Sequence, residues 1–287
     1  MKFRDFLGIG LLVGIVAIGA PVIWVETACV EESRAAAPAP TSFLAYPELF
    51  VVDSYGEFAA VARQRSESAF DYGGAISNFW SSLCATTREA SRYGEIPLDR
   101  KAGNYLVGYV FTAEMTLKGL WERTLGGLTA WMRGPVRTSE DEFGLQTLAN
   151  YAAFLKTSPG GRFPFWQELD RFFKETPTSG DAAIRKGERR VLFTLEYVGR
   201  GLYAHPAFAT GGSGADKAGP GSSHVLVTVL APADRNLEAP GVRPIFSTPL
   251  QARPGWRRVG LDVEAASAPA LQAGLAAQGV EFERAYR

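Results

Sequence analysis

The sequence predicts a mainly α-helical protein with a small α+β end domain, tethered by an N-terminal transmembrane helix. Three observations carry this expectation. Phe6 to Val25 reads FLGIGLLVGIVAIGAPVIWV, without a charge. A segment of the form FTxExxx[KR]GL occurs twice, at 111–120 and 193–202, in a region with helical apolar spacing. After a Gly/Ser-rich stretch at 211–223, the pattern turns to β-type runs around one short helix. The length of 287 residues suggests two folded units, at roughly 150 residues per domain.

Residues 1–30 form the expected anchor. Twenty helical residues rise about 30 Å, enough to cross the hydrocarbon core of a bilayer. Lys2 and Arg4 precede the run, and Glu26, Glu31 and Glu32 follow it. That asymmetry places the N-terminus in the cytoplasm and the bulk on the far side. Trp24 stands where an interfacial aromatic would, and Pro21 is near the outer end, where a kink is tolerated. A cleaved signal peptide is the rival reading, but its apolar region is typically 7–15 residues and its exit carries a small-x-small site. The exit here is Glu26-Thr27-Ala28-Cys29. Gly10 and Gly14 form a GxxxG, a spacing that permits close helix packing in lipid. Cys29 and Cys84 would both lie in an oxidising compartment and are expected to form a disulfide; the alternative is one packed and one idle cysteine.

Residues 31–42, EESRAAAPAPTS, read as an extended spacer. Residues 43–210 read as helical. Ser54-Tyr55-Gly56-Glu57 and Ser139-Glu140-Asp141-Glu142 each fit a capping box that opens a helix. Asn104 to Trp131 lacks proline and carries Val107, Val110, Phe111, Leu117, Trp121, Leu125 and Leu128 at helical spacing. Residues 224–287 form the end unit. His224–Ala231, Val242–Thr248, Trp256–Val263 and Val280–Tyr286 read as strands. Ser267–Gln278 reads as a helix stopped by Gly279. The order predicts a ferredoxin-like β-α-β unit with an abbreviated first crossover. Such a fold specifies a shape and no activity.

The helical region reads as a duplication. FTAEMTLKGLW at 111–121 and FTLEYVGRGLY at 193–203 share Phe, Thr, Glu, Gly and Leu. Phe79-Trp80 and Phe165-Trp166 precede them, and Phe58-Ala59-Ala60 and Tyr151-Ala152-Ala153 come earlier in the same order. The copies are expected over 46–136 and 144–210, sharing one core about a pseudo-two-fold axis. Tyr46-Pro47-Glu48, the Ser54-Tyr55-x-x-Phe58 step, Phe79-Trp80 and the two FTxE segments resemble a set of uncharacterised bacterial single-pass membrane proteins. The resemblance spans about 43–205. It implies a bacterial envelope protein and carries over no catalytic residue.

Glu114 with Lys118 and Glu196 with Arg200 are spaced i,i+4 on apolar helical faces, so the side chains of each pair can meet on one face, and they are expected to serve as structural ion pairs joining the two repeats. The sharper alternative is a buried carboxylate, Glu114 or Glu196, in acid/base or cation-binding work. A di-iron carboxylate site requires Glu-x-x-His, and the positions three beyond these glutamates are Leu117 and Gly199. The two cysteines and two histidines exclude a zinc-finger array or a disulfide-dense scaffold. His205 and His224, beside the linker, read as solvated. Ser213 lacks the final glycine and preceding strand of a nucleophile elbow. There is no phosphate-cradling glycine motif, so no nucleotide cofactor is expected, and the scarcity of Cys and His leaves no expected metal. Most of the aromatic residues Trp80, Trp121, Trp131, Trp166, Phe163, Phe165, Phe172 and Phe173 are expected in the core. Arg162, Phe163, Phe165 and Trp166 are candidate interface anchors.

Lys+Arg 30 balances Asp+Glu 30, which excludes a protein that wraps nucleic acid by concentrated positive charge. The expected partners are membrane lipid and other membrane proteins. The expected role is a non-enzymatic accessory or scaffold subunit that binds a larger envelope or energy-converting membrane complex, in the bacterial inner membrane with its bulk in the periplasm. An envelope enzyme, or a ligand-binding module with a pocket between the copies, are the alternatives.

Overall fold

A computed structural model describes residues 19–30, 49–155, 158, 160–203, 224–237 and 241–286. The helical body contains α1 (Leu49–Gln64), α2 (Tyr72–Tyr93), α3 (Leu98–Trp121), α4 (Gly127–Arg133), α5 (Ser139–Phe154), α6 (Phe165–Glu175) and α7 (Ala183–Tyr203). The end unit contains β1 (His224–Pro232), β2 (Val242–Pro249), β3 (Trp256–Glu264), α8 (Ala268–Ala277) and β4 (Glu281–Tyr286). The chain is thus mainly helical, with a C-terminal four-stranded antiparallel sheet.

Helix boundaries follow local chemistry, with two corrections to the expected starts. Ser54 does not open a helix: it lies inside α1, where its Oγ donates to the Phe50 carbonyl at 3.3 Å. The cap of α5 is Thr138, one residue earlier than expected. Its hydroxyl accepts from the Asp141 amide, and the Asp141 carboxylate accepts from the Thr138 amide. The expected helix over 104–131 is part of a longer run. It begins at Leu98, after Pro97, and passes through a π-helical turn at Glu122–Gly126 into α4. The π-turn brings Glu122 into the interior, where it is almost fully buried.

The three matched sequence islands fall on successive helices. Phe58 is on α1 and Tyr151 on α5; Phe79-Trp80 is on α2 and Phe165-Trp166 on α6; the FTxE segments are on α3 and α7. One cluster unites their aromatics, including Phe58, Phe79, Phe111, Tyr151, Phe165, Phe193 and Tyr197. Close helix approach depends on glycine. A Cβ at Gly108 of α3 would stand 2.6 Å from the Phe79 ring and 2.8 Å from the Trp80 ring. Gly119 and Gly201, equivalent in the two FTxE segments, press likewise on Tyr72 of α2 and Trp166 of α6. Gly108→Ala should therefore destabilise by about 1–3 kcal/mol through overpacking, although alanine favours helix. A chemical-denaturation midpoint equal to or above the parent's would contradict this.

The sheet order is β2-β3-β1-β4, antiparallel throughout. β1 reads HVLVTVLAP and is buried on both faces, as a central strand requires. Val225, Val227 and Val229 pack with α8, while Leu226 joins the core of the helical body. The connection from β1 to β2 spans only residues 233–241. The sheet is moored to α1 and α2. Phe50 meets Phe246 edge-on, and Glu57 accepts from the backbone amides of Gln251 and Ala252. Arg258 pairs with Asp53 at 3.1 Å.

Residues 19–28 are helical. Val25 is fully buried in the helical core and Val22 packs against it. Glu26 pairs with Lys101 at 2.9 Å and accepts from Tyr105 at 2.7 Å, both on α3. Cys29 and Cys84 are joined in a disulfide, with Cα atoms 5.2 Å apart. Gly10 and Gly14, the greater part of the apolar segment, the spacer at 31–42 and the Gly/Ser stretch at 211–223 lie outside the described residues. Among the described residues, no helix is long and apolar enough to cross a membrane.

Candidate functional site

The charged residues of the two FTxE segments form ion pairs that join the segments, as expected, but the partners are not the i,i+4 neighbours. Glu114 of α3 pairs with Arg200 of α7, and Lys118 of α3 pairs with Glu196 of α7 at 2.6 Å. Each carboxylate takes the cation of the other segment. The physical reason is depth: all four side chains turn towards the cleft between the helices, where a cross-helix partner is within reach. The exchange is reciprocal, as a two-fold relation demands: position i meets j′ and i′ meets j. Two aromatic contacts are also equivalent in the two segments, but each stays on its own side. Lys118 lies 4.6 Å over the ring of Phe58, and Arg200 lies 5.3 Å over the ring of Tyr151.

Tyrosines complete the site. Tyr55 of α1 donates to Glu114 Oε2 at 2.6 Å. Arg200 sits over the rings of Tyr55, Tyr151 and Tyr197 at 4.8, 5.3 and 5.6 Å. Its Nε and Nη1 have no hydrogen-bond acceptor among the described residues. The ring faces supply electrostatic compensation instead. Burial alone would lower the Arg200 pKa, but Glu114 and its neighbours outweigh burial and drive it well up. Burial raises the Tyr55 hydroxyl, and the Glu114 charge raises it further.

A second polar cluster lies deeper, at the π-turn. Arg189 forms a two-pronged pair with Glu122, at 2.7 and 3.0 Å. Arg185 reaches Asp141, Glu188 and the Gly126 carbonyl at 2.8–3.2 Å. Trp121 donates from its ring nitrogen to Glu188. Between the clusters lies a small void of about 40 Å³, space for a water or two.

Burial by itself raises the Glu196 carboxyl, but Lys118 and Arg200 prevail and hold it below its ordinary 4.5. Asp141 behaves alike: Arg185 and the Thr138 amide overcome burial and hold it below 3.8. A carboxyl depressed on folding stabilises the fold fully above its unfolded value, and that stabilisation is lost as pH falls through the folded value. Stability should therefore decline as pH drops below about 4.5, and Glu196→Gln should flatten the decline. An unchanged slope in that variant, measured by urea unfolding across pH, would contradict the assignment.

Above the ion pairs the two FTxE helices stand apart, leaving an open groove of about 750 Å³. Its walls are apolar, among them Val110, Leu117, Leu120 and Leu125 on the α3 side and Leu192 and Leu195 on α7. The expected apolar stripe of 104–131 is thus not wholly a core face. Phe111 is buried, whereas Val110, Leu117, Leu125 and Leu128 are exposed. α3 carries two apolar faces, one inward through Gly108, Phe111 and Met115, and one outward into the groove.

The aromatic expectations divide similarly. Trp80, Phe163, Phe165 and Phe172 are core, but Trp131, Trp166 and Phe173 are exposed. Of the four interface candidates, Phe163 and Phe165 are buried against Tyr151 and cannot serve as contacts. Arg162 and Trp166 reach the surface. His205 and Ser213 lie outside the described residues. His224 is not a solvated loop residue. It opens β1, with Nδ1 2.9 Å from Asp262 Oδ1, while Tyr93 donates to Asp262 Oδ2 at 2.6 Å. Arg243 bridges Asp262 and Glu89 beside them. This cluster joins sheet to helical body, and its sole hint in the sequence was a histidine at the start of a strand. Among the described residues, no group of three or more His, Cys, Asp or Glu could hold a metal ion.

Fold and site together define a helical body, built on paired helices with crossed charges, that carries a small antiparallel sheet and an open apolar groove. The chain matches no protein-family model, no curated protein and no solved structure.

Proposed function

We propose that the protein is a membrane-anchored, extracytoplasmic accessory or scaffold subunit that binds within a larger envelope assembly and catalyses no reaction. The observation that carries this reading is the state of the groove's charges. Glu114 and Glu196 are each tied to a cation of the opposite helix, and Glu196 is held ionised. A general acid or base needs a group free to exchange its proton near neutral pH, with access to substrate. Glu122, which burial raises, is sealed in the interior against Arg189. The site is arranged to hold a shape.

Several features support the rest of the reading. Val22 and Val25 both pack on the protein core, so the stretch left for lipid is Phe6–Pro21, about 24 Å as helix. A single span of that length is accommodated by local thinning of the bilayer. The Cys29–Cys84 bond favours an oxidising compartment, here the bacterial periplasm. The reciprocal ion pairs, and the equivalent glycines at 119 and 201, support a duplicated body with copies near 46–136 and 144–210. The strand order β2-β3-β1-β4 supports a ferredoxin-like end unit whose first crossover has shrunk to a short connection.

A second reading, a ligand-binding module with its pocket between the copies, is favoured by the open groove. Purification from native membrane in mild detergent should yield the chain with a co-purifying membrane protein. A lone monomer would overturn the accessory role. Glu114→Gln should leave the cellular phenotype intact if the fold is intact. Loss of phenotype in a folded variant would favour the envelope-enzyme alternative.

A further inference from the structure

We propose that the apolar face formed by α3, α4 and α7, with the groove between them, lies against the bilayer and takes up lipid acyl chains. This rests on the membrane-anchored reading above and identifies what the groove accepts.

A surface helix normally turns a charged face to water. Two helices here do not. Between Lys101 and Arg123, the exposed positions of α3 are Ala102, Leu106, Val110, Ala113, Thr116, Leu117 and Leu120, all uncharged. The exposed positions of α7 likewise carry no charge, from Ile184 through Val191 and Leu195 to Leu202. Leu117 is 67% and Leu195 61% exposed. The stripe continues on α4 through Leu128 to Trp131. An apolar face this long exceeds what a water-surrounded monomer normally shows, and it marks an interface. The duplication points the same way. Leu120 and Leu202 are identical residues at equivalent positions, and both are exposed, so core packing does not account for them.

The edges of the face indicate lipid rather than a protein partner. Three of the six tryptophans are markedly exposed: Trp24 at 42%, Trp131 at 79% and Trp166 at 50%. Trp24 is on the anchor's last turns, Trp131 is at the end of α4, and Trp166 lies against Gly201 on α7. Exposed indoles bordering an apolar face suit the headgroup level of a bilayer. The four charges at the groove floor are paired with one another, and the Arg200 nitrogens left without an acceptor are buried out of reach, so they offer a protein helix no polar contact to set its register. Acyl chains need no register. The tether also holds α3 close to the membrane. Glu26, two residues beyond Trp24, binds Lys101 and Tyr105 near the start of the stripe.

The test uses the full chain reconstituted in phosphatidylethanolamine/phosphatidylglycerol vesicles. Cys29 and Cys84 are bonded to each other, so a single introduced cysteine can carry a nitroxide label. Leu117→Cys and Leu195→Cys report on the face, Val13→Cys on the anchor, and Gln278→Cys at the exposed end of α8 on water. Both face positions are more than half exposed, so labelling removes no core side chain. Relaxation by oxygen relative to a water-soluble nickel chelate should be several-fold higher at 117 and 195 than at 278, and should approach the value at 13. A water-like ratio at 117 and 195, with a lipid-like ratio at 13, would overturn the proposal and leave the anchor standing. Labels shielded from both reagents, with spin–spin broadening between copies, would assign the face to a second copy instead. A water-like ratio at 13 would remove the anchor and this proposal together.

Discussion

Arg200→Met should lower the unfolding free energy by about 3–5 kcal/mol, the range for breaking a buried ion pair by deleting one partner. The variant keeps most of the side-chain volume, so cavity formation contributes little. It leaves the Glu114 carboxylate, a largely buried group, with the Tyr55 hydroxyl as its remaining hydrogen bond. It also removes the cation from the faces of Tyr55, Tyr151 and Tyr197. The decisive measurement is a pair of double-mutant cycles. Coupling of Arg200 with Glu114, four helices apart in sequence, should exceed its coupling with Glu196, one turn away on the same helix. The Lys118–Glu196 pair should behave as the mirror case. Equal couplings, or the reverse order, would show that the pairs are local after all. Glu114→Gln combined with Arg200→Met should recover part of the loss, because no buried charge is then left alone.

Cys84→Ser should be nearly as damaging. The bond closes a sequence separation of 55 residues, and a loop of that length corresponds to about 4 kcal/mol on a chain-entropy account. Cys29 directly follows the helix at 19–28, so the bond fixes the end of that helix to α2. The variant should unfold at lower denaturant than the oxidised parent, and the parent should match it once reduced. Reduction should also slow the parent on non-reducing gels, and the variant should show no such shift. A parent whose midpoint and mobility ignore reductant would disprove the bond. The remaining contacts of this helix, Val25 in the core and Glu26 on Lys101 and Tyr105, should keep it docked but more easily released.

Much of the body was legible because its signals are local. The helix at 98–133 announces itself by apolar spacing and by the absence of proline until Pro135. The start of α5 is visible in Thr138 and its acidic followers, within one residue. β1 reads as a buried strand from an almost unbroken apolar run. The important glutamates were also identifiable, since a carboxylate on an apolar face requires a partner. Their partners were not. Lys118 and Arg200 sit one turn from Glu114 and Glu196, so spacing offers a complete local answer that the structure rejects. His224 was less legible still: its partners Asp262 and Tyr93 are 38 and 131 residues distant.

The sequence alone determined that the body is helical and the end unit mostly strand, where the charges sit on the 98–133 helix, and that an uncharged run precedes the body. These follow from periodicity, capping and turn chemistry, which act over a few residues. Only the tertiary structure decided which cation neutralises which carboxylate, that Phe163 is core while Trp166 is surface, and that the outer stripe of α3 remains uncovered. Those outcomes depend on how far apart two helices stand. That spacing is set by bulk at remote contacts, such as Gly108 against Phe79 and Gly201 against Trp166, and periodicity in one segment carries no information about it.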